Sequence, residues 1–132
     1  MTAVIQLLVA QNQTRNGKET DIYTDECRTV VSMHDVVDIL VCICKHGIAS
    51  SGIYNMGGRD RVSRYDMAHA VFDHLGYDTR YLVAKTKVLL PVTGVASPLD
   101  ISMDSSKLSQ LTGIQFQGLN DIIRDTFPKE SS

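Results

Sequence analysis

Residues 52–76, GIYNMGGRDRVSRYDMAHAVFDHLG, carry the change of period that decides the fold class. Gly52 to Met56 is short and apolar and reads as a strand, ended by the Gly57-Gly58 pair. At Ser63 the spacing becomes helical. Ser63 is a good N-cap, and Asp66 stands three residues on, where a capping box needs an acceptor. Met67, Ala70, Val71 and Leu75 mark the expected core face, and Gly76 is the stop. Upstream, Val4 to Val9 begins a helical stripe that runs weakly to Asn16, with Gly17 as its stop. Thr20–Tyr23 reads as a strand, Asp25-Glu26 as a turn and Thr29–Met33 as extended chain. The strongly periodic Val36, Val37, Ile39, Leu40, Ile43 and Cys44 then predict a helix capped near Asp35 and stopped at Gly47. Downstream come a strand over Arg80–Ala84 and an irregular connection from Thr86 to Pro98. A short helix capped by Asp104 follows, ending at Gly113, and a last amphipathic helix uses Leu119, Ile122, Ile123 and Phe127, with Pro128 just past it. Strands alternating with helices predict an α/β architecture in which helices cover a small sheet.

Composition narrows the function classes. The chain has 132 residues, 43% apolar and 21% charged, with a net charge of −2. That is a globular mix sized for one domain or part of one. The near-neutral balance argues against a nucleic-acid groove, and no apolar run reaches the length of a bilayer span. Met1 to Ala10 is apolar but has no basic n-region and no small-residue cleavage site, so a signal peptide is not indicated. Three cysteines without a disulfide pattern point to a reducing, cytoplasmic setting. Residues 1–128 read as the structured portion and 129–132 as a flexible tail.

Several constellations invite chemistry. Gly57-Gly58-Arg59-Asp60-Arg61 lies between a strand and a helix, where a phosphate-cradling loop would sit. A dinucleotide fingerprint spaces three glycines as G-x-G-x-x-G, whereas here two are adjacent and the third is missing, so a tight turn is the favoured reading. Arg59, Arg61 and Arg64 read as a solvated basic turn. Cys42, Cys44 and His46 fall on the expected helix. Its 100° per residue puts Cys42 and His46 on one face and Cys44 nearly opposite, and two ligands do not make a zinc site. His69 and His74 diverge and read as surface residues. Cys27 stands alone near a turn. No P-loop, zinc-protease or calcium-loop motif occurs, and no catalytic constellation is identifiable.

Four segments in order resemble one family. Asp25-Glu26-Cys27-Arg28-Thr29-Val30-Val31-Ser32-Met33-His34-Asp35 is similar to the D-x-x-R-x-P-x-x-V-x-D stretch of extended short-chain dehydrogenase/reductases. Gly52-Ile53-Tyr54-Asn55-Met56-Gly57-Gly58 resembles their G-x-Y-N-x-G-G, and Val62-Ser63-Arg64-Tyr65-Asp66-Met67-Ala68 their V-S-x-x-E-x-A. Ser97-Pro98-Leu99-Asp100, followed by Met103-Asp104-Ser105-Ser106-Lys107-Leu108, is similar to R-P-x-D … L-D-x-S-K-L. The branch it resembles is the dTDP-4-dehydrorhamnose reductase-like group, which also contains the regulatory subunit of methionine adenosyltransferase. The resemblance implies part of an NAD(P)-binding Rossmann-type fold, its carboxyl-terminal, substrate-binding lobe. It implies reduction of a 4-keto sugar nucleotide with NADP or NAD in a complete family member. The family's glycine-rich cofactor loop and its Y-x-x-x-K pair are missing from this sequence, so the chain alone is expected to bind no cofactor and to transfer no hydride.

The same resemblance selects the substrate-binding candidates. Arg28 matches the arginine that approaches the substrate diphosphate in sugar-nucleotide members, where a guanidinium fork suits phosphate oxygens. A salt bridge from Arg28 to Asp25 or Asp35 is the competing reading. Asn55 is the second candidate, either orienting a loop through its amide or satisfying a strand end. Asp35 reads as a helix cap, and Ser106 and Lys107 as surface residues. The family's second basic residue is replaced by Ser97, which weakens a phosphate site. The expected partners are a sugar-nucleotide substrate, or a protein or second copy meeting uncovered apolar faces. A non-catalytic regulatory or binding module is the alternative function.

Overall fold

A computed structural model describes residues 17–47, 51–87 and 98–128, and within them strands and helices alternate as the periodicity predicts. The helix expected over the first 16 residues, Ser97 and the tail lie outside the described residues. Strand β1 spans Thr20–Tyr23, as expected, and β2 spans Cys27–Thr29. Helix α1 follows over Met33–His46, then β3 over Arg61–Ser63 and α2 over Arg64–Leu75. A single 3-10 turn at Thr79–Tyr81 leads into β4, Leu82–Lys85. Helix α3 (Ser106–Thr112) and helix α4 (Leu119–Thr126) close the order. No helix among the described residues is long and apolar enough to cross a membrane.

The strands form two small sheets. β1 runs parallel to β4, with Thr20 opposite Leu82 and Tyr23 opposite Lys85. A parallel pair needs a crossover, and α2 lies in the connection. β2 runs antiparallel to β3, with Cys27 opposite Ser63. The other edge of β2 is used as well: Leu99 O accepts from the Cys27 amide at 2.6 Å and Cys27 O accepts from the Ile101 amide at 3.1 Å.

Two expected boundaries move for local reasons. Ser32, not Asp35, caps α1: its Oγ accepts from the His34 amide at 3.1 Å. The chain therefore turns helical at Met33 and the β-strand shifts back to Cys27–Thr29. Asp35 sits in the first turn instead, buried, with Oδ2 accepting from the Gln117 amide at 2.9 Å. Gly52–Met56 forms no strand, and the two glycines that follow it pass close against Thr29 and Val30 at the end of β2. A Cβ on Gly58 would lie 1.7 Å from Val30 O, so only glycine allows this close approach.

The core has two parts. Ile22, Ala68, Phe72 and Leu82 pack between α2 and the β1–β4 pair, with Tyr65 and Tyr77 against them. Ile39, Leu108 and Phe116 join α1 to α3, flanked by Val31, Ile43, Tyr54, Met56 and Ile114. The buried face of α2 is Met67, Ala68, Val71 and Phe72, rotated from the expected set, so Ala70 and Leu75 are only half-buried. The rotation follows the sheet, which meets α2 at Ala68 and Phe72.

The capping box at Ser63 is complete. Its Oγ accepts from the Asp66 amide at 3.1 Å, and Asp66 Oδ2 accepts from the Ser63 amide at 2.9 Å. Ser63→Ala is expected to lower stability by about 0.5–2 kcal/mol. A urea titration checks it: the midpoint falls while the slope is unchanged.

Candidate functional site

Glu26 and Arg28 stand two apart along an extended segment, so their side chains share one face of β2. The antiparallel register brings Arg64 to the same place, where its amide also donates to Glu26 O at 3.1 Å. Lys87 arrives just beyond β4, held by its amide to Asp25 Oδ1 at 2.9 Å. The result is one buried carboxylate facing three cations. Glu26 Oε2 pairs with Arg64 Nε and lies 3.9 Å from Arg28 Nη2, while Oε1 pairs with Lys87 Nζ. The Lys87 ammonium also sits 5.8 Å from the centre of the Tyr23 ring.

Burial pushes the Glu26 carboxyl up. The Lys87 hydrogen bond, the charges of Arg64 and Lys87 and the Arg64 hydrogen bond together outweigh it, so its pKa lies below the ordinary glutamate range. Arg28 has the loosest tie to the carboxylate, its side chain is 20% exposed, and its buried Nε makes no hydrogen bond. Its ion-pair partner is Glu26, rather than Asp25 or Asp35. Arg64, expected in a solvated turn, is instead part of this cluster and only 13% exposed.

Thr29, next along β2, faces the other way and lines a cleft of about 540 Å³ with Arg59, Arg61, Met103, Ser106 and Gln110. The cleft's charges are locally engaged. Arg61 Nη2 lies 2.7 Å from Asp100 Oδ2, and Arg59 Nε 3.3 Å from Asp60 Oδ1. Hydrogen bonds from Ser102, reinforced by Arg61, hold the Asp100 carboxyl at about 2. Asn55 donates to Asp104 O at 3.3 Å and so ties its segment to the entry of α3, and Gly57 N donates to the buried Ser105 Oγ at 2.7 Å. Arg28 and Asn55 are thus not brought together: no hydrogen bond or ion pair joins them, and neither lines the cleft.

The remaining candidates are placed as follows. Lys107 is exposed with Nζ 4.4 Å over the Tyr54 ring, and Ser106 is exposed. His69 is on the surface against Tyr65, but His74 is half-buried with Nε2 2.7 Å from Phe127 O, correcting its surface assignment. Cys27 is buried, Cys42 half-buried and Cys44 exposed, and all three are free thiols. Among the described residues no three metal-ligating side chains converge.

Gly57 and Gly58 do not fit a cofactor cradle. A Cβ on Gly57 would meet Thr29 Oγ1 at 2.4 Å, and one on Gly58 would meet Val30 O. The space such glycines would leave for a pyrophosphate is filled by Thr29 and Val30 of this chain, and the expected strand-to-helix turn is not formed, because no strand precedes the glycines and β3 separates them from α2.

No family model and no curated protein matches the sequence. Solved structures do. dTDP-4-dehydrorhamnose reductase from Bacillus anthracis, in complex with NADP, superposes with a TM-score of 0.72 over 92% of this chain and 42% of its own, at 10% identity. The dTDP-4-dehydrorhamnose reductase from Yersinia enterocolitica gives 0.68 at 14% identity over the same shares. The Bordetella bronchiseptica enzyme WbmG, in complex with NAD and UDP, gives 0.58 at 16% identity, over 92% of this chain and 38% of its own. The chain therefore has the fold of part of these Rossmann-type proteins and spans about two-fifths of their length.

Proposed function

We propose that the chain is the substrate-side portion of a sugar-nucleotide oxidoreductase fold, with Arg28 binding the diphosphate of a nucleotide sugar and no hydride transfer by the chain alone. The observation that carries this reading is the cation cluster at Glu26: Arg28, Arg64 and Lys87 all face its carboxylate, and of these three contacts that of Arg28 is the longest, at 3.9 Å. Asn55 contributes by holding the loop at Asp104. A longer protein on this fold would hold NADP or NAD through segments other than Gly57-Gly58. The three free thiols suit a cytoplasmic setting.

Calorimetric titration with UDP and dTDP tests the reading. Losing a charge-assisted hydrogen bond costs about 1.5–3 kcal/mol, so Arg28→Ala is expected to weaken binding about 10- to 150-fold, with Arg28→Lys in between. Equal affinity in wild type and Arg28→Ala removes Arg28 from the site. Turnover of NADPH with a keto-sugar nucleotide by the purified chain would overturn its non-catalytic status.

The exposed apolar face of α1 favours a second reading, a non-catalytic binding module. Diphosphate affinity without Arg28 dependence, together with a stable protein complex, would favour it over the first.

A further inference from the structure

Helix α1 has two apolar faces, and among the described residues only one meets the core. Ile39 is buried and Ile43 half-buried toward α3, while Met33, Val37, Leu40, Val41 and Cys44 are exposed, Met33 at 74%. At 100° per residue these five positions fall within about 100° of one another, a continuous stripe over three turns. Beside the stripe, on the flank away from the core, lie Asp38 and Lys45, both exposed and about 20° apart on the wheel. In an antiparallel helix pair like flanks face each other. Asp38 of one copy then meets Lys45 of the other, twice by symmetry, and the helix dipoles oppose. A parallel pair puts these flanks on opposite sides of the seam and loses both contacts.

We propose that this face of α1 pairs with the same face of a second copy of the chain, antiparallel, with Val37, Leu40, Val41 and Cys44 at the seam, Asp38–Lys45 pairs along its edge and Met33 past the end of the partner helix. The inference rests on α1 alone and is independent of whether Arg28 binds a diphosphate.

Sedimentation equilibrium of the 132-residue chain from about 1 to 100 μM, a range that brackets ordinary transient association, tests it. A monomer–dimer equilibrium is expected. Leu40→Glu should abolish it while far-UV circular dichroism and the melting midpoint hold, since Leu40 is half-exposed within one copy. Asp38→Lys and Lys45→Asp should each weaken the dimer about three- to tenfold, and the double exchange Asp38→Lys/Lys45→Asp should restore it. A strict monomer overturns the proposal and leaves the face to a different protein. So does a dimer indifferent to Leu40→Glu, or single reversals that the double exchange does not rescue.

Discussion

Glu26→Gln is expected to cost about 3 kcal/mol of folding stability, and Glu26→Ala the same or more. Glu26 is buried, and it is the shared counter-charge for Arg28, Arg64 and Lys87. Removing the charge takes the Glu26 carboxylate away from Arg64, itself 13% exposed, while the guanidinium stays in place. Breaking a buried pair costs about 3–5 kcal/mol, and the lower end applies because Arg28 and Lys87 keep some solvent. For a chain of this size the melting midpoint should fall by roughly 10 °C. The amide variant matters, because it keeps the shape and tests the charge.

The pH dependence has a fixed sign. The folded pKa of Glu26 is depressed, so its contribution is fully present above the unfolded value, about 4.3. It is lost as the pH falls below that and through the lower folded pKa. Denaturant midpoints measured between pH 7 and pH 3 should fall less steeply below pH 4.3 in Glu26→Gln than in the parent chain. Equal stabilities at pH 7, or identical acid limbs, would show that the cluster is solvated and that Arg28 is not held by Glu26.

What the sequence made legible was what acts over three or four residues. The Ser63 capping box and the stops at Gly47, Gly76 and Gly113 were all readable, because a cap and its partner are neighbours in the chain. Ser32 and Asp35 are both good caps by type, and the choice between them rests on the Gln117 amide, 82 residues away, which takes the aspartate. Gly52–Met56 has the composition of a strand and forms none, because a ladder is made with a distant segment and composition does not supply the partner. The candidate site divides in the same way. Arg28 was accessible through its motif. Its companions were not, because residues 26, 64 and 87 meet only through the β2–β3 register and the β1–β4 pairing. The one local signal is the spacing of Glu26 and Arg28, two apart on an extended segment, and the turn-like Asp25-Glu26 pair masks it.

Phe72→Ala should be the most costly apolar truncation beside the site, at about 3–5 kcal/mol. Phe72 is 1% exposed, packs with Ile22, Ala68 and Leu82, and meets the Tyr77 ring edge-on at 5.6 Å between centroids. Its removal opens a cavity between α2 and the parallel pair that neither can close, because β1 and β4 are fixed to each other by their ladder. Phe72→Leu keeps most of the volume and should lose less. The loss bears on function through α2, whose first residue is Arg64: a loosened α2 weakens the grip on Glu26 and with it the anchoring of Arg28. The core is divided, with Ile39, Leu108 and Phe116 forming a separate cluster. Hydrogen exchange should therefore accelerate more at the Ile22 and Val83 amides than along α1 in Phe72→Ala. Uniform acceleration would mean that both clusters open as one unit. A stability loss below about 1 kcal/mol would mean that Phe72 is not the packing centre between α2 and the β1–β4 pair.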